Sequence, residues 1–100
     1  MTFVYIIYDY EEQGAENVHA TLDRAKLPEL LEAAMRAEYE YANPAFRNDA
    51  WRTQILSESR NELNKLLGRT DEELLADDDG RHNLNLDWGG WVLQIVRLDA

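Results

Sequence analysis

The chain has no cysteine, which excludes disulfide bonds, thiolate nucleophiles and cysteine-ligated zinc and fits a reducing compartment. It also has no long hydrophobic run, and none approaches the length that a membrane-spanning helix requires. The apolar segment Phe3 to Tyr8 is too short for a secretory signal, has no basic residue before it and is followed by acids. We therefore expect a cytoplasmic protein that has no membrane as its partner.

Motifs for catalysis or cofactor binding are absent as well. The glycines form no nucleotide-binding pattern, and Ser57 and Ser59 fall on a predicted helix without the glycine-flanked turn that presents a nucleophile. His19 and His82 stand in no metal-ligand spacing, and we expect both to be exposed on strands. The sequence therefore predicts no catalytic residue, no cofactor and no metal site, and we do not expect an enzyme.

Basic residues are the scarcer charge, with ten against twenty acids and a net charge of −10. Residues 1–42 hold nine acids and three bases, and residues 70–100 hold eight acids and two bases. Residues 43–69 are slightly basic, with three acids and five bases. Such a distribution repels nucleic acid and favours encounter with basic proteins. We expect the partner to be a basic surface of another protein, with no direct contact to nucleic acid.

The length of 100 residues and a hydrophobic content of 45% predict one folded domain over residues 1–100. Its first segment, Thr2 to Tyr10, is β-branched and aromatic on both faces, which is typical of a central strand. Val18, Ala20 and Leu22 then alternate with polar residues, which predicts a hairpin partner whose polar side faces solvent.

Apolar residues recur at helical spacing from Leu27 to Met35 and predict an amphipathic helix that packs on the sheet. Pro28 is tolerated in the first turn of a helix, so the regular helix should begin near Leu27. A short turn headed by Asp23 is expected to precede it.

Two further helices are predicted. Asn43–Pro44 indicates a break and a new start, since the residue before proline avoids helical geometry and asparagine is a good N-cap. The second helix should run to about Leu67 and stop at Gly68. Thr70 to Glu73 has the spacing of a capping box and predicts a short third helix.

The tail predicts a second hairpin, because Gly89-Gly90 separates two segments of alternating apolar residues. A two-residue loop there gives these cross-strand pairs on one face: Trp88 with Trp91, Leu86 with Leu93 and Leu84 with Ile95. The element order β-β-α-α-(α)-β-β predicts an α+β fold, an antiparallel sheet of about four strands with the helices packed on one face.

Acidic residues are the candidate binding residues. Six acids between Asp71 and Asp79 approach the charge density of duplex DNA, about one charge per 1.7 Å of axis. Tyr39 and Tyr41 are added because tyrosine joins a large contact area to a polar group; the alternative is that they pack a corner between two helices. The candidate partner-binding residues are Glu11, Glu12, Glu16, Glu38, Glu40, Asp71, Glu72, Glu73, Asp77, Asp78, Asp79, Tyr39 and Tyr41.

Two functions fit this pattern. The first is a binding module that covers a basic or nucleic-acid-binding surface of its partner, as a DNA mimic does. Small acidic chains of this size include phage-encoded inhibitors of nucleases and of CRISPR effectors, an analogy of size and charge alone. The second is a self-associating accessory domain without catalytic activity, a homodimer in which the basic residues between Arg47 and Arg69 meet the acidic ends of the second copy.

Overall fold

The computed structural model describes residues 2–11, 14–41, 49–84 and 90–98, and for residues 11, 38–41 and 49–52 it describes only their place in a strand or helix. Along these residues the main elements are β1 (Phe3–Glu11), β2 (Gly14–Thr21), α1 (Leu27–Tyr41), α2 (Asp49–Leu67), α3 (Asp71–Ala76), β3 (Arg81–Asn83) and β4 (Trp91–Arg97). The strands form one antiparallel sheet in the order β2-β1-β4-β3, which confirms the predicted α+β fold and the central place of β1. None of the described helices is long and apolar enough to cross a membrane.

The helices cover one face of the sheet, as predicted. α1 packs on β1 and β2, α3 packs on β3 and β4, and α2 packs on α1. Side chains alternate along a strand, so Phe3, Tyr5 and Ile7 of β1 share the helix-covered face, where they are buried. The core joins these residues to Leu27, Leu31, Ala34, Met35, Ile55, Leu63, Leu74, Leu84, Trp91, Leu93 and Ile95.

The helix ends follow the local signals in the sequence. α1 begins at Leu27, and a 3₁₀ turn over Arg24–Lys26 leads into it. Asp23 caps this turn, because its side chain accepts a hydrogen bond at 3.0 Å from a backbone N–H within the turn. α2 stops before Gly68 as predicted, and the break expected at Asn43–Pro44 lies outside the described residues.

β2 is the predicted hairpin partner of β1, but it directs its apolar residues away from the helices, so the face predicted for this strand is wrong. The pairing of β1 with β2 shifts by one residue between Ile7 and Asp9, where β2 contains an extra residue. Asn17 lies in this β-bulge with a φ of 50°, a left-handed conformation that asparagine tolerates. A shift of one residue exchanges the two faces of a strand, so His19 instead of Val18 lies opposite Ile7. The residues that the alternation assigned to the buried side are exposed: Val18, Ala20 and Leu22.

The last two strands pair in a different register from the one that a two-residue glycine loop predicts. His82 lies opposite Leu93, and the Leu84 backbone N–H donates to the Trp91 carbonyl at 2.9 Å. The predicted partners of Leu84 and Leu93 are therefore wrong. The remainder of the predicted hairpin, residues 85–89, lies outside the described residues.

Gly80 sets the observed register. Its φ is 82°, and a Cβ atom at this position would lie 2.5 Å from the Ile95 carbonyl oxygen. Because this close approach holds the chain against β4, pairing begins at once with Arg81. The observed partner of Leu84 is Trp91, four residues from the predicted partner Ile95. Because four is an even number, Leu84 stays on the predicted, helix-covered face, where it is buried.

The core side of α2 contains a buried hydroxyl. Ser59 lies one turn from both Ile55 and Leu63, and all three side chains are buried. Its Oγ is the only fully buried side-chain nitrogen or oxygen of the described residues without a hydrogen-bond partner. Leaving such a group unsatisfied costs about 1–3 kcal/mol, so Ser59 lowers the stability of the fold.

We predict that Ser59→Ala raises the free energy of unfolding, because it removes the unsatisfied hydroxyl. Ser57→Ala is the matched control, since Ser57 is exposed on the same helix and undergoes the same change in helix propensity. The gain at Ser59 should exceed the gain at Ser57 by about 1 kcal/mol in urea unfolding. A smaller gain at Ser59 than at Ser57 would mean that the buried hydroxyl does have a partner.

Candidate functional site

The acidic segment, residues 71–79, begins with the predicted capping box. Thr70 Oγ1 accepts a hydrogen bond from the Glu73 backbone N–H at 3.2 Å, and the Glu73 carboxylate accepts one from the Thr70 backbone N–H at 3.3 Å. The Thr70 hydroxyl, and then this N–H, donate to the carboxylate and hold the pKa of Glu73 below its usual value. Glu73 is therefore part of the start of α3 as well as an exposed acid.

Arg24 connects the approach to α1 with the other two helices. Its guanidinium donates to a carboxylate oxygen of Asp71 at 2.8 Å. It also donates to the backbone carbonyls of Leu67, at 2.8 Å, and of Arg69. Leu67 ends α2 and Asp71 begins α3, so one side chain satisfies carbonyls at the end of one helix and binds the first acid of the next.

Asp71 receives a second hydrogen bond from the sheet. The Tyr5 hydroxyl on β1 donates to its other carboxylate oxygen at 2.8 Å. Burial, followed by the hydrogen bond to Asp71, raises the pKa of Tyr5 to about 12. The phenol is therefore a protonated donor at neutral pH, and Asp71 is held between Arg24 and Tyr5.

His82 fixes α3 from the sheet below it. Its Nε2 lies 2.7 Å from the Leu74 carbonyl oxygen, which can only accept, so the ring donates from Nε2. The ring is buried, and the prediction that His82 is exposed is wrong. The reason is the register of β3, which places His82 opposite Leu93 on the face that α3 covers.

The turn after α3 is tied to the sheet through its backbone. Asp78, Asp79 and Gly80 have positive φ angles of 52°, 56° and 82°. The Gly80 N–H donates to the Asp77 carbonyl at 3.0 Å, and the Gln94 side chain on β4 donates to the Asp79 carbonyl at 3.1 Å. These contacts use main-chain groups and leave the side chains of Asp78 and Asp79 exposed.

Three of the six acids in the acidic segment have partners within the chain. Asp71 and Glu73 make the contacts described above, and a carboxylate oxygen of Asp77 lies 3.3 Å from a guanidinium nitrogen of Arg69. Among the described residues no ion pair engages the other three, which are exposed: Glu72, Asp78 and Asp79. These three carboxylates are free to meet a partner.

The other predicted binding residues do not all join the acidic segment. Glu16 is exposed on β2, which lies at the opposite edge of the sheet from β3, about 14 Å away for strands spaced by 4.8 Å. Glu12 lies outside the described residues. For the following residues the place in β1 or α1 is described and the side chain is not: Glu11, Glu38, Tyr39, Glu40 and Tyr41.

Sequence reasoning did not find the residues that hold the acidic segment in place. Arg24 and Asp71 are 47 positions apart, and no local pattern connects them. Tyr5 was assigned to a central strand, without a partner for its hydroxyl. His82 did carry a signal, since it alternates with Leu84 and this spacing marks one face of a strand.

No family model, no curated protein and no solved structure matches the chain. Within the part of the chain that the structure describes, no group of three or more histidine, aspartate or glutamate side chains is arranged to hold a metal ion. What the geometry offers is a set of exposed carboxylates on a segment that is anchored to the rest of the fold.

The raised pKa of Tyr5 predicts a loss of stability at high pH. Between the ordinary value of 10.0 and about 12, the unfolded chain releases the phenol proton while the folded chain retains it. The stabilisation that Tyr5 contributes should therefore be fully present below this window, and the free energy of unfolding should fall as the pH rises through it. Urea unfolding at about pH 9 and about pH 11 measures this decrease, which should be smaller in Tyr5→Phe. Equal decreases in the two proteins would contradict the assignment.

Proposed function

We propose that this chain is a non-catalytic, cytoplasmic protein-binding module that inhibits its partner by covering a basic, nucleic-acid-binding surface. The acidic segment is the proposed contact. The observation that carries the proposal is the exposure of Glu72, Asp78 and Asp79, whose carboxylates no ion pair engages among the described residues. The cytoplasm is proposed because the chain has no cysteine.

Anchoring of the acidic segment supports this role. Arg24 and Tyr5 hold its first residue, His82 holds the carbonyl of Leu74, and Gln94 holds the turn that follows. A surface that is already ordered loses less conformational entropy on binding than a flexible acidic tail does. The carboxylates can therefore act together on a partner.

The overall charge supports a basic partner. A net charge of −10 attracts basic surfaces over long distances, raises the association rate and makes it sensitive to salt. Carboxylates, like phosphates, are negatively charged hydrogen-bond acceptors. On a fixed surface they can bind the arginine and lysine side chains of a partner. The remaining predicted contacts, Glu16 and the acids and tyrosines at the end of α1, extend the same proposal.

We predict that the triple variant Glu72→Gln, Asp78→Asn, Asp79→Asn loses its partner. Asparagine accepts the positive φ angles of the turn, so the fold should be kept. Immobilised protein is incubated with a lysate of the organism that encodes the chain at about 50 mM and about 500 mM salt. Basic proteins captured by the wild type at low salt should be reduced at least about tenfold with the variant and released at high salt. Captured partners should also be displaced by added duplex DNA.

The matched control is the triple variant Glu29→Gln, Glu58→Gln, Glu62→Gln, which removes three acids from α1 and α2. It changes the net charge by the same amount and leaves the acidic segment intact. It should capture the same basic proteins as the wild type. Equal capture by both triple variants would contradict the assignment of the contact to the acidic segment.

A further inference from the structure

The face of the sheet opposite the helices is largely apolar. Register and alternation assign to this open face four residues of β1, three of β2, two of β3 and three of β4. They are Val4, Ile6, Tyr8, Tyr10, Ala15, Val18, Ala20, Arg81, Asn83, Val92, Gln94 and Val96.

The large exposed hydrophobic side chains of the described residues belong to this side. Among the described residues, the large hydrophobic side chains that are exposed are Tyr10, Val18, Leu22, Val96 and Leu98. Tyr10, Val18 and Val96 belong to the open face. Leu22 and Leu98 come directly after the last residues of β2 and β4, and continuing the alternation of these strands places both on the same side. The Leu98 N–H donates to the carbonyl of Thr2, the residue before β1, at 2.8 Å.

Among the residues whose side chains the structure describes, none of those on the open face is acidic, although the chain carries twenty acids. Asp9 and Glu16 lie opposite each other on the helix-covered side of their strands. The charged residue that register assigns to the open face is Arg81, whose guanidinium lies 4.6 Å from the centre of the Tyr10 ring. β1 and β3 are not neighbours, so this contact crosses β4 and confirms that both side chains lie on one face.

We propose that the open face is the contact between two copies of this chain in a weak symmetric dimer. Two such faces meet without bringing carboxylates together, whereas a basic partner finds no carboxylate there to bind. The acidic segment borders the face at its β3 edge, where Gln94 binds the Asp79 carbonyl. The contact is centred on β1 and β2, away from the acidic segment, where Val18 and Ala20 are exposed. This inference does not rest on the proposed function.

The size of the face sets the strength of the dimer. Four strands, of which β4 has seven residues, cover roughly 400 Å² at about 3.3 Å per residue and 4.8 Å between strands. A standard interface buries about 800 Å² on each partner. The dimer is therefore reversible and forms at high protein concentration.

Sedimentation velocity of the full chain, at concentrations up to about 1 mM, tests this proposal. The sedimentation coefficient should rise with protein concentration. Dimerisation should strengthen between about 50 mM and about 500 mM NaCl, because salt screens the repulsion between two negative copies. Binding to a basic partner through the acidic segment has the opposite salt dependence, which separates the two activities.

Val18→Lys and Ala20→Lys locate the contact. Both positions are exposed, so the variants should fold, and circular dichroism checks this. Each lysine reduces the net negative charge, so a dimer limited by overall repulsion would tighten. A dimer formed by the open face should instead weaken at least about tenfold, because a charge enters an apolar contact. Ser57→Lys on α2 is exposed, makes the same charge change and should leave the dimer intact.

Two results would overturn the proposal. One is a wild-type chain that stays monomeric up to about 1 mM at about 500 mM NaCl. The other is a dimer that Val18→Lys and Ala20→Lys do not weaken. Neither result tests partner capture by the acidic segment. The substitutions at Glu72, Asp78 and Asp79 test that capture separately.

Discussion

The guanidinium of Arg24 is the contact on which the position of the acidic segment depends. It binds Asp71 at the start of α3 and two backbone carbonyls at the end of α2, and Tyr5 ties the same carboxylate to the sheet. Removing one partner from such a network leaves a partly buried charge without compensation, which is far more costly than losing an exposed ion pair. Asp71, one of the three acids of the segment that have partners within the chain, therefore holds the exposed acids in place.

The β-bulge at Asn17 and the helices together give the sheet two different faces. One face is buried under the helices, and the register places Asp9 and Glu16 on that side. The other is largely apolar, in part because the bulge turns Val18 and Ala20 toward it, and none of its described side chains is acidic. A molecule with a net charge of −10 thus combines a fixed acidic segment with a largely apolar face, two surfaces that suit different kinds of contact.

Local signals predicted most of the elements, and long-range pairing limited the rest. Pro28 fixed the start of α1, Gly68 the end of α2, and Thr70 with Glu73 the start of α3, because each acts within a turn or two of the chain. The face of β2 and the register of β3 were wrong, since a one-residue bulge and the close approach of Gly80 to β4 leave no periodic trace. For the site, the exposed acids were predictable from composition, whereas the side chains that anchor them come from distant parts of the sequence.

Amide hydrogen exchange in Arg24→Met tests most directly whether Arg24 holds the acidic segment. The readout is the N–H groups of Leu74, Asp77 and Gly80, which are hydrogen-bonded within this region. Arg36→Met is the matched control, because Arg36 makes an exposed ion pair with Glu32, one turn earlier in α1. In Arg24→Met these amides should exchange at least about tenfold faster relative to those of the sheet, while the control exchanges like the wild type. Unchanged protection of these amides in Arg24→Met would show that the acidic segment is held without Arg24.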